Sequence, residues 1–518
     1  MSSDASQLVA STAINMFFLS TAAFVYTLKT VRKSEKVHVT TSTYRIGSRG
    51  VKCLQPALPY LGAFIKCCED PCHPSINPSG YIALCVAENK LIQERLALRL
   101  MPETCSGEIF SDSVAYCYSN MLGLPGPREA VARFLTRKFL LPVSTLSLST
   151  DLREEIAGTG PRQKVNPQHV ALIGGSASVL SNIFFALCEV GDAVLIPVPY
   201  YNAFENDMKI VAGCVPFPVY MDDPTKGPSY DDLDFAFASA AKRGFRVKVL
   251  LLTNPNNPLG IIYPRKVMSE CVKWARSKGL HTICDELYAL STHSKKHSFE
   301  SVLKILDNNL GDDVHMIWAL SKDFGASGFR TAFLCTQNAG LMKALENLNI
   351  FSCVSHPIQL ITSDILSDDN FVDSFLEDSR MLVVNSKKIC ERKLDEMIIP
   401  YVRAEAGIFI YADFSALFPQ PATFLDEARF SEILQNVAHL VITPGSSQRD
   451  LRPGMFRICF TWVSQEVLEI AMERLSYVVS KLRKLGRFDW DDITEGYFNE
   501  VTKCGIRKTG NHFNLLDI

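Results

Sequence analysis

The feature that most constrains this chain is a set of short apolar runs, each ending in a polar loop. Residues 170–173 run into Gly174, Gly175, Ser176, Ala177 and Ser178, and residues 193–196 into Pro197, Val198, Pro199, Tyr200 and Tyr201. Residues 247–253 run into Asn254, Pro255, Asn256, Asn257, Pro258, Leu259 and Gly260, and residues 281–284 into Asp285, Glu286, Leu287 and Tyr288. Met316, Ile317 and Trp318 lead into Ala319, Leu320, Ser321, Lys322 and Asp323. Short continuous apolar runs rich in β-branched residues and closed by turn residues read as buried parallel strands. In open α/β sheets a ligand sits beyond the carboxyl ends of such strands.

Those ends carry a consistent chemistry. Lys322 stands just past its strand, and a glycine-spaced loop through Gly325 and Gly328 leads to Arg330. The lysine can condense with an aldehyde and the arginine can reach a phosphate. Pyridoxal 5′-phosphate has both groups, and its enzymes hold it through a lysine imine. Alone, the loop reads equally well as an exposed lysine beside a turn. The other strand ends change that reading, because each bears a residue suited to a phosphorylated pyridine.

Five motifs extend the pattern: Ala87-Glu88-Asn89, Gly123-Leu124-Pro125, the Thr253 to Gly260 loop, Ser321-Lys322-Asp323 and Phe456-Arg457-Ile458-Cys459-Phe460. From about residue 80 to about residue 475 the chain resembles the fold-type I pyridoxal-phosphate enzymes and, within them, the class I aminotransferases. The branch it resembles contains the 1-aminocyclopropane-1-carboxylate synthases and their fungal and animal relatives. The resemblance implies an α/β fold with a mostly parallel seven-stranded sheet and a smaller α/β domain. It implies that Lys322 forms the imine and later moves the proton at the substrate α-carbon. Asp285 would face the pyridine nitrogen, while Tyr288 and Asn257 would hydrogen-bond the ring hydroxyl and so tune the imine. Tyr201 would stack on the ring, although the Tyr200-Tyr201 doublet leaves the register open. Gly175 and Ser176 would hold the phosphate at a helix N-terminus, where Ser176 could equally be a plain cap. Ser321 joins the cofactor-binding set, Arg330 would add a charge-assisted phosphate contact, and Arg457 would grip the substrate α-carboxylate. Glu88 matches an acidic residue near the substrate, or is an exposed carboxylate. Asp285 and Tyr288 also have a bland reading, as a helix cap and a core aromatic.

Two positions depart from the family pattern. Ala319 replaces a hydroxyl residue three positions before the lysine, and Met121 replaces a tyrosine two residues before Gly123 that reaches the partner subunit's site. Each lost hydrogen bond is worth about 0.5–1.5 kcal/mol.

At 518 residues the chain suits a subunit of more than one part, and a net charge of −2 with 21% charged residues offers no surface for nucleic acid. The 16 cysteines are scattered among apolar neighbours, as at Cys188, Cys284, Cys335 and Cys459, and read as buried thiols in a reducing compartment. Cys67, Cys68, Cys72 and His73 lie close together but lack zinc-ligand spacing, so no metal is expected. Residues 8–28 contain no charge, Gly or Pro over 21 positions. As a helix they would span about 31 Å, close to a bilayer's hydrocarbon thickness. Lys29, Arg32, Lys33 and Lys36 follow and favour a cytosol-facing enzyme on a membrane anchor. A soluble packing arm, a disordered extension and an unanchored cytoplasmic protein stay open.

The expected organisation is an N-terminal hydrophobic segment at 1–36, a small domain from 76–135 and 385–485, a large cofactor-binding domain at 136–370, and a tail at 486–518. Residues 368–393 read as a charged helix, and 406–410 and 456–460 as small-domain strands. The resemblance implies a homodimer. The leading activity is amino-group transfer between an amino acid and a 2-oxo acid. A lyase acting by C–S cleavage, β- or γ-elimination or cyclopropane formation begins with the same carbanion. A non-catalytic membrane-tethered homologue is the third reading.

Overall fold

The computed structural model describes residues 53–54, 58–101, 108–141, 164–294 and 298–485. Its centre is a seven-stranded sheet of β1 (Val170–Ile173), β2 (Ala193–Pro197), β3 (Val215–Val219), β4 (Val247–Thr253), β5 (His281–Asp285), β6 (Val314–Ala319) and β7 (Ala332–Thr336). The order across the sheet is β1-β7-β6-β5-β4-β2-β3. Only β7 runs against its neighbours; every other pairing is parallel.

Alternate strand residues enter two separate cores. Ala171, Ile173, Val194, Ile196, Val249 and Leu251 pack with Val179, Ile183 and Phe184 of helix α2 (Ser176–Leu187). Val170, Leu172, Leu195, Leu250 and Leu252 pack with Val131 and Phe134 of α1 (Pro125–Leu135) and with Val272 and Trp274 of α3 (Arg265–Ser277). Both faces of the sheet are therefore covered, which is why its strands read as unbroken apolar runs and not as alternating ones.

Two strands escaped the sequence reading. Strand β3 contains Pro216 and Pro218, which a central strand excludes because they cannot donate to a ladder. It lies at the sheet edge and pairs only with β2. Strand β7 is wholly buried and runs antiparallel to both neighbours; its polar exit, Gln337 and Asn338, carries none of the cofactor chemistry that marked the others.

A second, antiparallel sheet comprises β8 (Tyr401–Val402), β9 (Phe409–Asp413), β10 (Thr443–Pro444) and β11 (Met455–Cys459) in the order β10-β11-β9-β8. The strand expected over 406–410 begins only at Phe409. Gly407 turns the chain with φ of 80° and donates its N–H to the Ser291 carbonyl at 2.9 Å. The charged segment forms helix α4 (Asp369–Glu396), capped by the Asp368 carboxylate accepting from the Phe371 N–H at 2.9 Å. Arg474 of α5 (Gln465–Leu485) is buried and donates to the carbonyls of Pro78, Gly80 and Ala438 at 2.6, 2.9 and 3.2 Å. Together with the parallel pairing of Ile82–Ala83 on Leu440–Val441, these bonds tie the N-terminal part of the described chain to the second sheet.

The hydrophobic run at 8–28 and the tail at 486–518 lie outside the described residues; among the described residues no helix is long and apolar enough to cross a membrane. Cys188, Cys284, Cys335 and Cys459 are buried free thiols. Near the cysteine cluster, Cys72 Sγ accepts from Arg474 Nη2 at 3.7 Å and His73 Nδ1 accepts from the Ser75 and Ile76 N–H groups at 3.2 Å. Among the described residues no His, Cys, Asp or Glu group is arranged to hold a metal.

Candidate active site

Strand β6 ends in a single helical turn, Leu320–Asp323, that sets Lys322. Asp323 pins this turn and takes no part in the open site. Its Oδ2 accepts from Trp318 Nε1 at 2.8 Å and the Leu290 N–H at 3.1 Å, and its Oδ1 from Ser291 Oγ at 2.6 Å. Lys322 Nζ donates to the Ala87 carbonyl at 2.8 Å. That approach depends on Gly325, at φ of +64°, where a Cβ would stand 2.4 Å from the Asn89 carbonyl oxygen. Glycine thus lets the Ala87-Glu88-Asn89 segment close over the lysine. Burial holds the Lys322 pKa below its usual value, with the Glu88 carboxylate opposing and the Arg457 charge assisting.

Asp285 closes β5 and is buried, accepting from the Leu287 N–H at 3.2 Å. Burial pushes its carboxyl up to about 7, while that N–H and the Lys322 charge work against the rise. Three other expected residues form one chain of bonds. Asn257 Nδ2 donates to Tyr288 Oη at 3.4 Å, and Asn257 Oδ1 accepts from Arg457 Nη1 at 2.8 Å. Arg457 reaches in from β11, is 1% exposed, and also donates to the Cys85 carbonyl at 2.9 Å. Burial works against its charge, but Cys459, Tyr60, Tyr288 and Tyr201 hold its pKa above the usual arginine value. The Tyr288 ring meets Phe409 edge-on at 5.2 Å, and the Arg457 guanidinium lies 5.5 Å from that same ring.

The tyrosine doublet divides its work. Tyr200 is buried and donates its hydroxyl to Glu205 Oε1 at 3.1 Å, a carboxylate also held by Arg449 at 2.5 and 2.9 Å. Tyr201 faces the site: burial, then Tyr60 and Asp207, push its pKa up, and the charges of Arg457 and Asp285 also bear on it. At the end of β1, the Gly175 N–H is committed to the Ile173 carbonyl at 2.6 Å, and Ser176 opens the first turn of α2, where backbone N–H groups lack intrahelical partners. What Gly175 contributes is room. It sits at φ of +95°, and a Cβ there would lie 2.2 Å from Arg330 Nη2. The Arg330 guanidinium thus lies directly over the helix N-terminus, with Nη1 donating to the Ser327 carbonyl at 3.0 Å. Ser327 Oγ in turn donates to the Ser321 carbonyl at 3.0 Å, joining the lysine turn to the arginine. Ala319 is buried and offers no hydroxyl; the half-buried Met121 accepts at its carbonyl from Asn349 Nδ2 at 3.1 Å.

Three residues of the site went unread in the sequence. Tyr60 is buried, its pKa pushed up to about 12 by burial with the Arg457 charge opposing. It lies between the hydrophobic segment at 1–36 and the small domain from 76, a stretch given no role in the sequence, yet Tyr60, Phe64 and Cys67 recur at helical spacing and are all buried, a signal short enough to overlook. Asn202 follows the doublet. Asp207 is held up to about 7 by burial and by Asp285.

The residues present fit a phosphorylated pyridine aldehyde. A buried carboxyl with a raised pKa, a buried amine with a lowered one and a guanidinium over a helix N-terminus all stand at the ends of neighbouring strands. Apart from the cofactor contacts, Arg457 Nε and both amide atoms of Asn202 are buried with no hydrogen-bond partner among the described residues, as expected of a site that also pairs with a substrate. The sheet order and these strand ends define a fold-type I pyridoxal-phosphate enzyme.

Comparison with known proteins agrees. Residues 118–475 match the family described as aminotransferase class I and II. The chain is 30% identical over 427 residues to a 1-aminocyclopropane-1-carboxylate synthase of Nicotiana tabacum, covering 80% of this chain and 82% of that one. It is 29% identical over 427 residues to 1-aminocyclopropane-1-carboxylate synthase 2 of Solanum lycopersicum, covering 80% and 84%. Among solved structures, aspartate aminotransferase from Thermus thermophilus with maleate superposes with a TM-score of 0.65 at 20% identity, covering 84% of this chain and 99% of that chain. An archaeal alanine:glyoxylate aminotransferase gives 0.69 at 19% identity, covering 86% and 100%. The chain belongs to the class I and II aminotransferase family, in the branch that resembles 1-aminocyclopropane-1-carboxylate synthases, and its cofactor is pyridoxal phosphate.

Proposed function

We propose that this protein transfers an amino group between an amino acid and a 2-oxo acid. The observation that carries the reading is the bond chain from Tyr288 through Asn257 to Arg457, set with Lys322 and Asp285 at the carboxyl ends of the central strands. Pyridoxal phosphate supplies an aldehyde for amino groups and a ring that accepts the electron pair released at the α-carbon. Ser176 and Arg330 would hold its phosphate, Asp285 its ring nitrogen, and Tyr288 with Asn257 its ring oxygen. Arg457 orients the substrate through its α-carboxylate, and Glu88 stands beside the substrate amine. Lys322, with its lowered pKa, is suited to take the α-proton and return it one carbon away.

The likeness to 1-aminocyclopropane-1-carboxylate synthases over four-fifths of the chain favours a second reading, elimination on the same carbanion. Purified holoenzyme incubated with single amino acids separates the two. Transfer requires an added 2-oxo acid and yields a new amino acid. Ammonia or thiol release without an acceptor would replace transfer with lyase chemistry.

A homodimer completes the assignment. Tyr118 and Phe351 are 97% and 91% exposed. Phe351 lies beside the phosphate end, where the Gly174 N–H donates to the carbonyl of the adjacent Ser352 at 2.6 Å. Large apolar side chains left in water there suit contact with a second copy. Residues 136–370 serve as the cofactor-binding unit, 76–135 with 385–485 as the smaller unit, and residues 8–28 as a bilayer anchor that holds both on the cytosolic side.

A further inference from the structure

We infer that Asn202 reads the substrate side chain, and that the substrate is an amino acid whose neutral side chain ends in a carboxamide or hydroxyl. The inference rests on the proposed reading in which Arg457 takes the α-carboxylate.

Asn202 follows Tyr201 beyond the carboxyl end of β2 and is 7% exposed. Its backbone is used, the carbonyl accepting from the Glu205 N–H at 3.3 Å, but neither side-chain atom has a partner among the described residues. Other amides around the site differ. Asn257 is bonded at both ends, and Asn256 donates to Tyr263 Oη at 3.2 Å while accepting from the Leu259 N–H at 3.1 Å. Only Asn202 and Gln448, of the described residues, bury an amide with neither end paired. Of those two, Asn202 lies against the Tyr60 hydroxyl, close enough to lower its pKa though outside hydrogen-bond geometry. That same hydroxyl feels the Arg457 charge. The empty amide therefore faces the region where a substrate held by Arg457 would extend.

A buried amide with neither end paired is a standing penalty that a ligand's matching group removes. The cofactor is not that ligand, because its phosphate, ring nitrogen and ring oxygen each have other partners in the proposed arrangement. Charge decides the class of side chain. Arg449 is spent on Glu205, Arg330 lies over Gly175, and Arg457 is assigned to the α-carboxylate, so a second substrate carboxylate would find no cation. Glu88 is assigned to the substrate amine, and burial and Asp285 hold Asp207 up to about 7, so a cationic side chain finds no fully charged partner either. A carboxamide or hydroxyl both donates and accepts, as do Asn202 and Tyr60.

The test titrates the holoenzyme with glutamine, asparagine, serine and norleucine, following the absorbance change of the bound cofactor as each amino acid binds. Glutamine should bind more tightly than norleucine by on the order of tenfold or more, since a site built for a hydrogen-bonding group rejects an analogue lacking it. Asn202→Leu should erase that preference without changing cofactor affinity. Asn202→Asp, which conserves shape, should shift the preference toward ornithine. Equal binding of glutamine and norleucine by the wild type would overturn the inference alone, as would an Asn202→Leu protein that keeps the preference or loses cofactor. If no amino acid perturbs the cofactor absorbance, the proposed function falls, and this inference with it.

Discussion

Replacing Asp285 by Asn should stabilise the cofactor-free protein and weaken the cofactor-loaded one. The carboxyl is buried with one backbone donor and the nearby Lys322 charge as its compensation, and it is pushed up from 3.8 to about 7. A raised carboxyl pKa means that the unfolded chain releases this proton more readily than the folded one. The penalty is absent below pH 3.8, grows as pH rises, and is complete above about pH 7. The rise is about three pH units (7 − 3.8), which at ~1.4 kcal/mol each amounts to about 4 kcal/mol. At pH 5 the same two values leave about 1.6 kcal/mol. Asparagine keeps an oxygen for the Leu287 N–H and carries no charge, so urea unfolding of the apoprotein should show the variant ahead by a margin that widens from pH 5 to pH 8. Asp207 acts in the same direction, since its own carboxyl is raised in part by Asp285. Glu286 acts in the same direction too, its carboxyl being raised first by burial and in part by Asp285. A cationic ring nitrogen would restore the Asp285 charge and convert the penalty into binding, so the variant should hold cofactor less tightly and lose kcat more than KM. Stability curves that stay parallel between pH 5 and pH 8 would refute the reasoning, because they would mean that Asp285 is not held neutral in the empty site.

Borohydride reduction of the holoenzyme followed by peptide mapping should place the cofactor on Lys322, and an adduct on another lysine would remove that residue from the centre of the site. Gly175→Ala should leave a folded protein, destabilised by roughly 1–3 kcal/mol for a side chain at φ 95° and ψ 155°, a region that glycine alone populates readily. Its cofactor affinity should fall, because the Cβ displaces the Arg330 guanidinium; unchanged affinity would show that Arg330 does not hold the phosphate. Met121→Tyr should tighten cofactor or substrate by up to about tenfold if a hydroxyl is missing across the dimer, and no change would mean that the site is built around methionine. Full-length protein should resist carbonate extraction from membranes while a chain starting at Val37 stays soluble and active, and a soluble full-length chain would remove the anchor at residues 8–28.

The large sheet was legible because its parallel strands are buried on both faces, and such strands must read as unbroken apolar runs. Their polar ends were legible for the same reason: a strand that leaves the core announces the point of exit. Lys322, Asp285, Tyr288 and Asn257 all stand at such points, within a few residues of a strand. Arg457 was placed through family likeness, since nothing in the run Phe456 to Phe460 shows which ligand it meets. Strand β3 was missed because prolines at an edge hide strand character, and β7 because its polar exit, Gln337 and Asn338, carries none of the cofactor chemistry that marked the other strand ends.

Local sequence thus determined which residues end strands, and so which chemistry could gather at the sheet edge. Tertiary structure alone decided what meets there from a distance. Tyr60 reaches Arg457 across nearly four hundred residues, the Ala87 carbonyl meets Lys322, and Arg330 occupies the space that Gly175 leaves empty. It also decided between Tyr200 and Tyr201 by giving the first a carboxylate partner in Glu205. Such contacts depend on packing between segments far apart in the chain, and periodicity within a segment carries no record of its distant neighbours.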